Sequence, residues 1–154
     1  MKTWIVAMTL LLGLGAPLCA SAIDSVQDLP QASRDPDMDT ARQAISAGNW
    51  KAAIEHLQRV ANRDARNADA RNLLGYSYRK SGNLDLAFKH YNEALKLDPD
   101  HRGTHEYIGE AYLMTGNLAK AEEHLKALDR ICLFPCEEFS DLKRAVENYK
   151  RAKR

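Results

Sequence analysis

The most distinctive chemistry in the sequence belongs to Cys132 and Cys136, set four residues apart in Ile131-Cys132-Leu133-Phe134-Pro135-Cys136-Glu137-Glu138-Phe139. Two thiols at this spacing can close a disulfide across a five-residue loop, cycle as a redox pair, or offer thiolates to a soft metal ion. Redox pairs are usually Cys-x-x-Cys in a thioredoxin-like βαβ setting, and this segment has neither feature. A metal would require further ligands, and no third one is near in the sequence. The disulfide is the reading that the segment suits best. In the chain-entropy account so short a loop contributes only about 2 kcal/mol. Thiol-redox and metal roles at Cys132 and Cys136 stay open as alternatives.

The histidines raise the same question of metal binding. His56, His90 and His124 follow one another at steps of 34 residues. If that step is a structural repeat, equivalent residues stand ~10 Å apart per layer. Zinc holds its nitrogens at roughly 2.1 Å, so such a ladder cannot share one ion. These residues are expected to be polar groups at the edge of a helix. His101 and His105 have a helical ligand spacing, but Pro99 and Gly103 put His101 in a turn. No metal site follows. The sequence also lacks a Gly-x-Ser-x-Gly elbow, a Walker loop and a His-Glu-x-x-His pair. No catalytic residue and no cofactor is expected, and the chain reads as a non-enzyme.

The frame for these residues is a chain of 154 residues, a length that suits one domain. There are 22 basic and 21 acidic residues, which gives no excess charge for binding nucleic acid or an anionic membrane. Hydrophobic residues at 45% are enough for a folded core.

Met1-Lys2 is followed by an apolar run from Trp4 to Leu14, then by Pro17 and Ala20-Ser21-Ala22. A short positive start, an apolar stretch and a small-x-small end make residues 1–22 a secretory signal peptide, cleaved after Ala22. The apolar run is shorter than the roughly 20 residues of a membrane span, so no stable membrane insertion is expected after cleavage. An exported chain would reside in the periplasm or outside the cell, where paired thiols oxidise. Residues 23–33 are polar, contain Pro30 and read as a flexible lead-in, with Asp35 as an N-cap.

One register organises the rest. Gly48-Asn49, Gly82-Asn83 and Gly116-Asn117 are separated by 34 residues, as are Ala53, Ala87 and Ala121, and Leu57, Tyr91 and Leu125. Apolar spacing predicts helices over residues 70–81 and 83–97, with Gly82 as a stop and Asp98-Pro99 as a break. Small residues at 75, 87 and 94 would let paired helices approach closely. The middle copy carries Leu74-Gly75, Tyr78, Ala87, Tyr91 and Pro99; the third carries Ile108-Gly109, Tyr112, Ala121 and Leu125. This pattern resembles the tetratricopeptide repeat. The resemblance implies an all-α solenoid of three helix-turn-helix repeats, over residues 34–67, 68–101 and 102–135. Residues 136–154 form a capping helix and basic tail, with Phe139, Leu142, Val146 and Tyr149 on one face.

In this family the first helix of each pair lines a concave groove. The resemblance therefore implies a partner-binding groove at Arg42 and Ile45, at Asn72, Tyr76 and Arg79, and at Glu106, Glu110 and Met114. The family's Lys/Asn/Arg clamp for a peptide C-terminus is not implied, because Met38, Leu73 and Gly103 stand at three of its places. The expected function is a protein-binding scaffold of the cell envelope whose partner is a protein or peptide. The alternative is an envelope assembly or maturation factor acting through the cysteines.

Overall fold

Each repeat turns between its two helices by the same local device. In the computed structural model, which describes residues 35–134 and 136–154, Gly48, Gly82 and Gly116 have φ of 70°, 86° and 79°. L side chains avoid that region, so glycine ends one helix there and turns the chain. The next residue in each case, Asn49, Asn83 or Asn117, accepts a hydrogen bond from the backbone N–H three residues on, at Ala52, Leu86 and Lys120. That bond satisfies one of the free donors of a helix start. Asp35, Asn67 and His101 cap the first helix of each pair, accepting from the backbone N–H of Asp37, Ala70 and Thr104 respectively.

The helices so bounded are α1 (Pro36–Ser46), α2 (Trp50–Arg63), α3 (Ala68–Lys80), α4 (Leu84–Leu97), α5 (Arg102–Met114), α6 (Leu118–Ile131) and α7 (Glu137–Ala152). They form three antiparallel pairs and a final single helix, an all-α solenoid. Helix α3 starts two residues before the apolar pattern suggested, because Asn67 supplies the cap. The leader expected at 1–22 and the flexible lead-in expected at 23–33 fall outside the described residues.

Three buried clusters run along the array. Ala41, Leu57, Ala61 and Leu74 form the first, Ala87, Tyr91, Ile108 and Ala111 the second, and Ala121, Leu128, Leu142 and Val146 the third. Tyr78 packs against the first two and Tyr112 against the last two, so one tyrosine joins each pair of neighbouring clusters. Leu142 lies one repeat step after Ile108, and both are buried. Helix α7 thus takes the place of the first helix of a further repeat, packing on α5 and α6.

Two crossings depend on the absence of a side chain. A Cβ at Gly75 would stand 2.5 Å from the Tyr91 ring, and one at Gly109 would stand 2.6 Å from Leu142. Both distances are far inside van der Waals contact, and Tyr91 and Leu142 are themselves fully buried. The first cluster is locked by charge as well. Arg63 spans Asp35 and Asp37 at 2.7 and 2.6 Å, and Arg59 and His56 also reach Asp37. These partners, Arg63 foremost, hold the Asp37 carboxyl well below the usual carboxylate range.

The histidine ladder is more deeply set than an edge position. His90 is buried and stacked on Tyr78, with ring centroids 5.4 Å apart. His105 places Nε2 2.9 Å from the Pro99 carbonyl and Nδ1 2.9 Å from Nδ1 of His124. If Nε2–H of His105 donates to the carbonyl, its Nδ1 is the acceptor for His124. Burial first, and His105 second, push His124 down to about 4.

Cys132 and Cys136 are joined, with an S–S distance of 2.06 Å and Cα atoms 5.9 Å apart. The bond ties the end of α6 to the start of α7. Leu133 and Phe134 in the closed loop are 91% and 83% exposed.

Replacing Gly75 with Ala should cost about 1–3 kcal/mol, read by urea unfolding, because the Tyr91 ring has nowhere to move. An unchanged midpoint would mean that the α3–α4 crossing is looser than described. Serine at both Cys132 and Cys136 should cost no more than about 2 kcal/mol and raise amide exchange in α7 before the repeats. Faster exchange in α3 and α4 ahead of α7 would contradict this order.

Candidate groove and binding site

The first helices bring their inner faces to one cavity of about 530 Å³. It is lined by Tyr76, Arg79 and Lys80 of α3, by Glu106, Tyr107, Glu110, Leu113 and Met114 of α5, and by Ala145 of α7. Equivalent helices one repeat apart lie side by side, so residues far apart in sequence face the same space.

An aromatic row forms the floor. Trp50 meets Tyr76 edge-on at 6.1 Å between centroids, and Tyr76 meets Tyr107 at 4.8 Å. Cations lie over this row. The Arg79 guanidinium sits 5.3 Å from the Tyr76 centroid and 5.6 Å from that of Tyr107. Lys80 Nζ is 5.9 Å from the Trp50 ring and 5.8 Å from that of Tyr76. Such contacts contribute about 0.5–1 kcal/mol where exposed and more where water is excluded. Arg79 also pairs with Glu110 at 2.7 Å, and its side chain is only 9% exposed. Its Nε and the Tyr91 hydroxyl are buried without a hydrogen-bond partner among the described residues.

Five of the eight groove residues named from the sequence line this cavity: Tyr76, Arg79, Glu106, Glu110 and Met114. Arg42 is exposed on α1 and outside it. Ile45 packs against the first cluster, where its side chain serves the core. Asn72 is buried, and its Oδ1 has no partner among the described residues. Met114 remains 57% exposed at the rim. Tyr107, Lys80, Leu113 and Ala145 also line the cavity, beyond the residues expected from the sequence. Tyr107 carried a usable signal, an aromatic beside Glu106 one turn from Glu110. Ala145 carried none, since only the docking of α7 brings it here. Arg79 was expected to be an open contact residue, but its burial makes it part of the wall.

The cysteines line a separate surface recess with Arg102, Leu133, Phe134 and Glu138. Among the described residues no cluster of three or more His, Cys, Asp and Glu could hold a metal ion. Among the same residues no helix is long and apolar enough to cross a membrane.

Residues 38–102 and residues 78–131 each match a family described as Tetratricopeptide repeat. No curated protein matches the chain in sequence. Similar solved structures include the Yersinia enterocolitica type III secretion translocator chaperone SycD, at 22% identity and a TM-score of 0.68, covering 76% of this chain and 83% of that one. SycD in complex with a peptide of the translocator YopD gives 21% and 0.65, covering 77% and 92%. PcrH in complex with the chaperone-binding region of PopD gives 19% and 0.65, covering 77% and 91%. Identities this low carry the fold alone.

Glu106 is the least settled group in the cavity. It makes no ion pair or hydrogen bond among the described residues, and Arg79 is already held by Glu110. Burial, then Glu110, Asp141 and Glu138, push its carboxyl up to about 8. The unfolded chain has an ordinary Glu near 4.5, so the fold binds the proton more tightly. Its contribution to stability is therefore present at acid pH and lost as pH rises towards 8. Thermal melts should show Glu106→Gln gaining on the parent chain between pH 5 and pH 8. A parallel response of the two proteins would contradict an uncompensated carboxyl at this place.

Proposed function

The chain belongs to the tetratricopeptide repeat family, and from that premise we propose that it is a non-catalytic protein-binding module of the cell envelope, holding a segment of its partner in the concave groove. One observation carries the reading: the cavity shared by α3, α5 and α7, with its row of Tyr76 and Tyr107 beneath Arg79. Tyr and Arg are the side chains that most often dominate binding energy, and here they are held rigid by one another. A rigid aromatic floor loses little freedom when a ligand arrives. The solved relatives with bound segments, SycD with a YopD peptide and PcrH with a region of PopD, use a similar fold to hold a stretch of another protein. A segment of a partner protein is the occupant this chain's groove would hold.

The envelope as location rests on the leader-like residues 1–22 and on Cys132 and Cys136, whose bond suits an oxidising compartment. Fractionation of cells carrying the full chain tests it: the protein should leave the cytoplasm and lose the leader. Retention in the cytoplasm at full length would place it elsewhere.

For the groove, a photocrosslinking side chain introduced at Met114 should capture a partner that the same group at Lys89, exposed on α4, does not. Tyr107→Ala should reduce that capture at least about tenfold, a hot-spot loss. Capture from Lys89 alone, insensitive to Tyr107→Ala, would move the binding face to the second helices.

A further inference from the structure

The charges around the cavity are arranged in layers, and the layers do not balance. Helix α3 contributes Arg79 and Lys80 and α5 contributes Glu106 and Glu110 to its lining, while Glu138 and Asp141 of α7 act on Glu106 from outside that lining. The cations available are mostly committed. Arg79 is bound to Glu110 at 2.7 Å, Lys80 lies over Trp50 and Tyr76, and Arg144 pairs with Asp141 at 2.7 Å. Arg102 reaches Glu138 only at 3.8 Å. Glu106 is left among three carboxylates with no cation of its own within the described residues.

Beside it stand surfaces suited to an alkyl stem. Tyr107, Leu113 and the exposed Met114 line the same cavity. Lysine and arginine bury their methylene stems along apolar walls while the charged head reaches a carboxylate.

We propose that the groove selects partner segments by a basic side chain, lysine or arginine, whose stem lies along Tyr107 and Met114 and whose head pairs with Glu106 in the field of Glu110, Glu138 and Asp141. This rests on the groove being the binding face. An acidic side chain at that place would add a fifth carboxylate to the cluster. A neutral one would leave Glu106 as it is in the free protein. A cation compensates the site, and on binding Glu106 gives up the proton it holds below pH 8. Affinity for a basic segment therefore rises with pH between about 6 and 8.

The test uses the full chain, immobilised, and a pool of short blocked peptides of random sequence at physiological ionic strength. The peptides retained at pH 8 should be enriched about tenfold in Lys and Arg over Gln, the size expected of a charge-assisted pair. The enrichment should shrink at pH 6 and vanish in Glu106→Gln, a variant that should fold at least as stably as the parent. Ala at Tyr76 and Tyr107 should lower retention of the whole pool. Retained peptides without basic enrichment, or enrichment that persists in Glu106→Gln, overturn the inference while leaving the groove in place. Basic enrichment that survives loss of both tyrosines overturns the groove reading itself. A pool that is not retained at all overturns both.

Discussion

How near two helices can come is the constraint on which this molecule turns. Positions 41, 75 and 109, one repeat step apart, hold Ala, Gly and Gly; positions 53, 87 and 121 all hold Ala, fully buried. At these points bulk on one helix is met by its absence on the next. The Tyr91 ring fills the space a Cβ would take at Gly75, and Leu142 does the same at Gly109. Interiors packed to this density do not yield by small amounts, so the crossing fixes helix direction as well as distance. The second of these contacts seats α7. Without it the last repeat would expose its apolar edge, the cavity would lose the wall at Ala145, and Glu106 would lose the neighbouring charges of Glu138 and Asp141.

The regular spacing set by that packing is what makes a binding surface out of scattered residues. Residues separated by one repeat step become neighbours across adjacent first helices: Asn72 and Glu106, Tyr76 and Glu110, Tyr107 and Asp141. The backbone repeats while the chemistry does not. Helix α3 presents rings and cations, and α5 and α7 present mostly carboxylates. Where the two kinds meet, Arg79 and Glu110 neutralise one another; one layer further, acids face acids. The groove thus has a direction, from a cation-rich end at Lys80 to an acidic end at Glu106.

Much of this architecture was legible in the sequence, because a tandem repeat states its own register three times. The Gly-Asn steps located the turns, and the periodic alanines located the crossings, since both depend on contacts within a few tens of residues. What escaped depends on contacts between layers. Asn72 and Ile45 have the spacing of groove residues, but Asn72 is buried and Ile45 packs against the first cluster. Arg79 has the type of an exposed contact residue, but two tyrosines and a glutamate enclose it. His90 and His124 have the spacing of rim groups, but Tyr78 and Tyr112 stack on them. Sequence spacing gives the face of a helix to within a residue or so. Whether a polar side chain on that face is open or covered depends on the neighbour's side chains, which no local pattern reports.

The nearest-neighbour wiring also bears on speed. The main helix contacts run between successive helices, or between first helices one repeat apart. Chain segments that must meet are therefore separated by short loops, and closing a short loop forfeits little entropy before contacts begin to compensate. Proteins wired this way reach the native state in microseconds to milliseconds, whereas folds that join distant strands are far slower. A pair such as α3 and α4 can form as soon as both are available and then template its neighbours in either direction. Such rapid, local assembly shortens the interval in which Leu57, Leu74 and Tyr91, all buried in the folded chain, are open to the wrong partner.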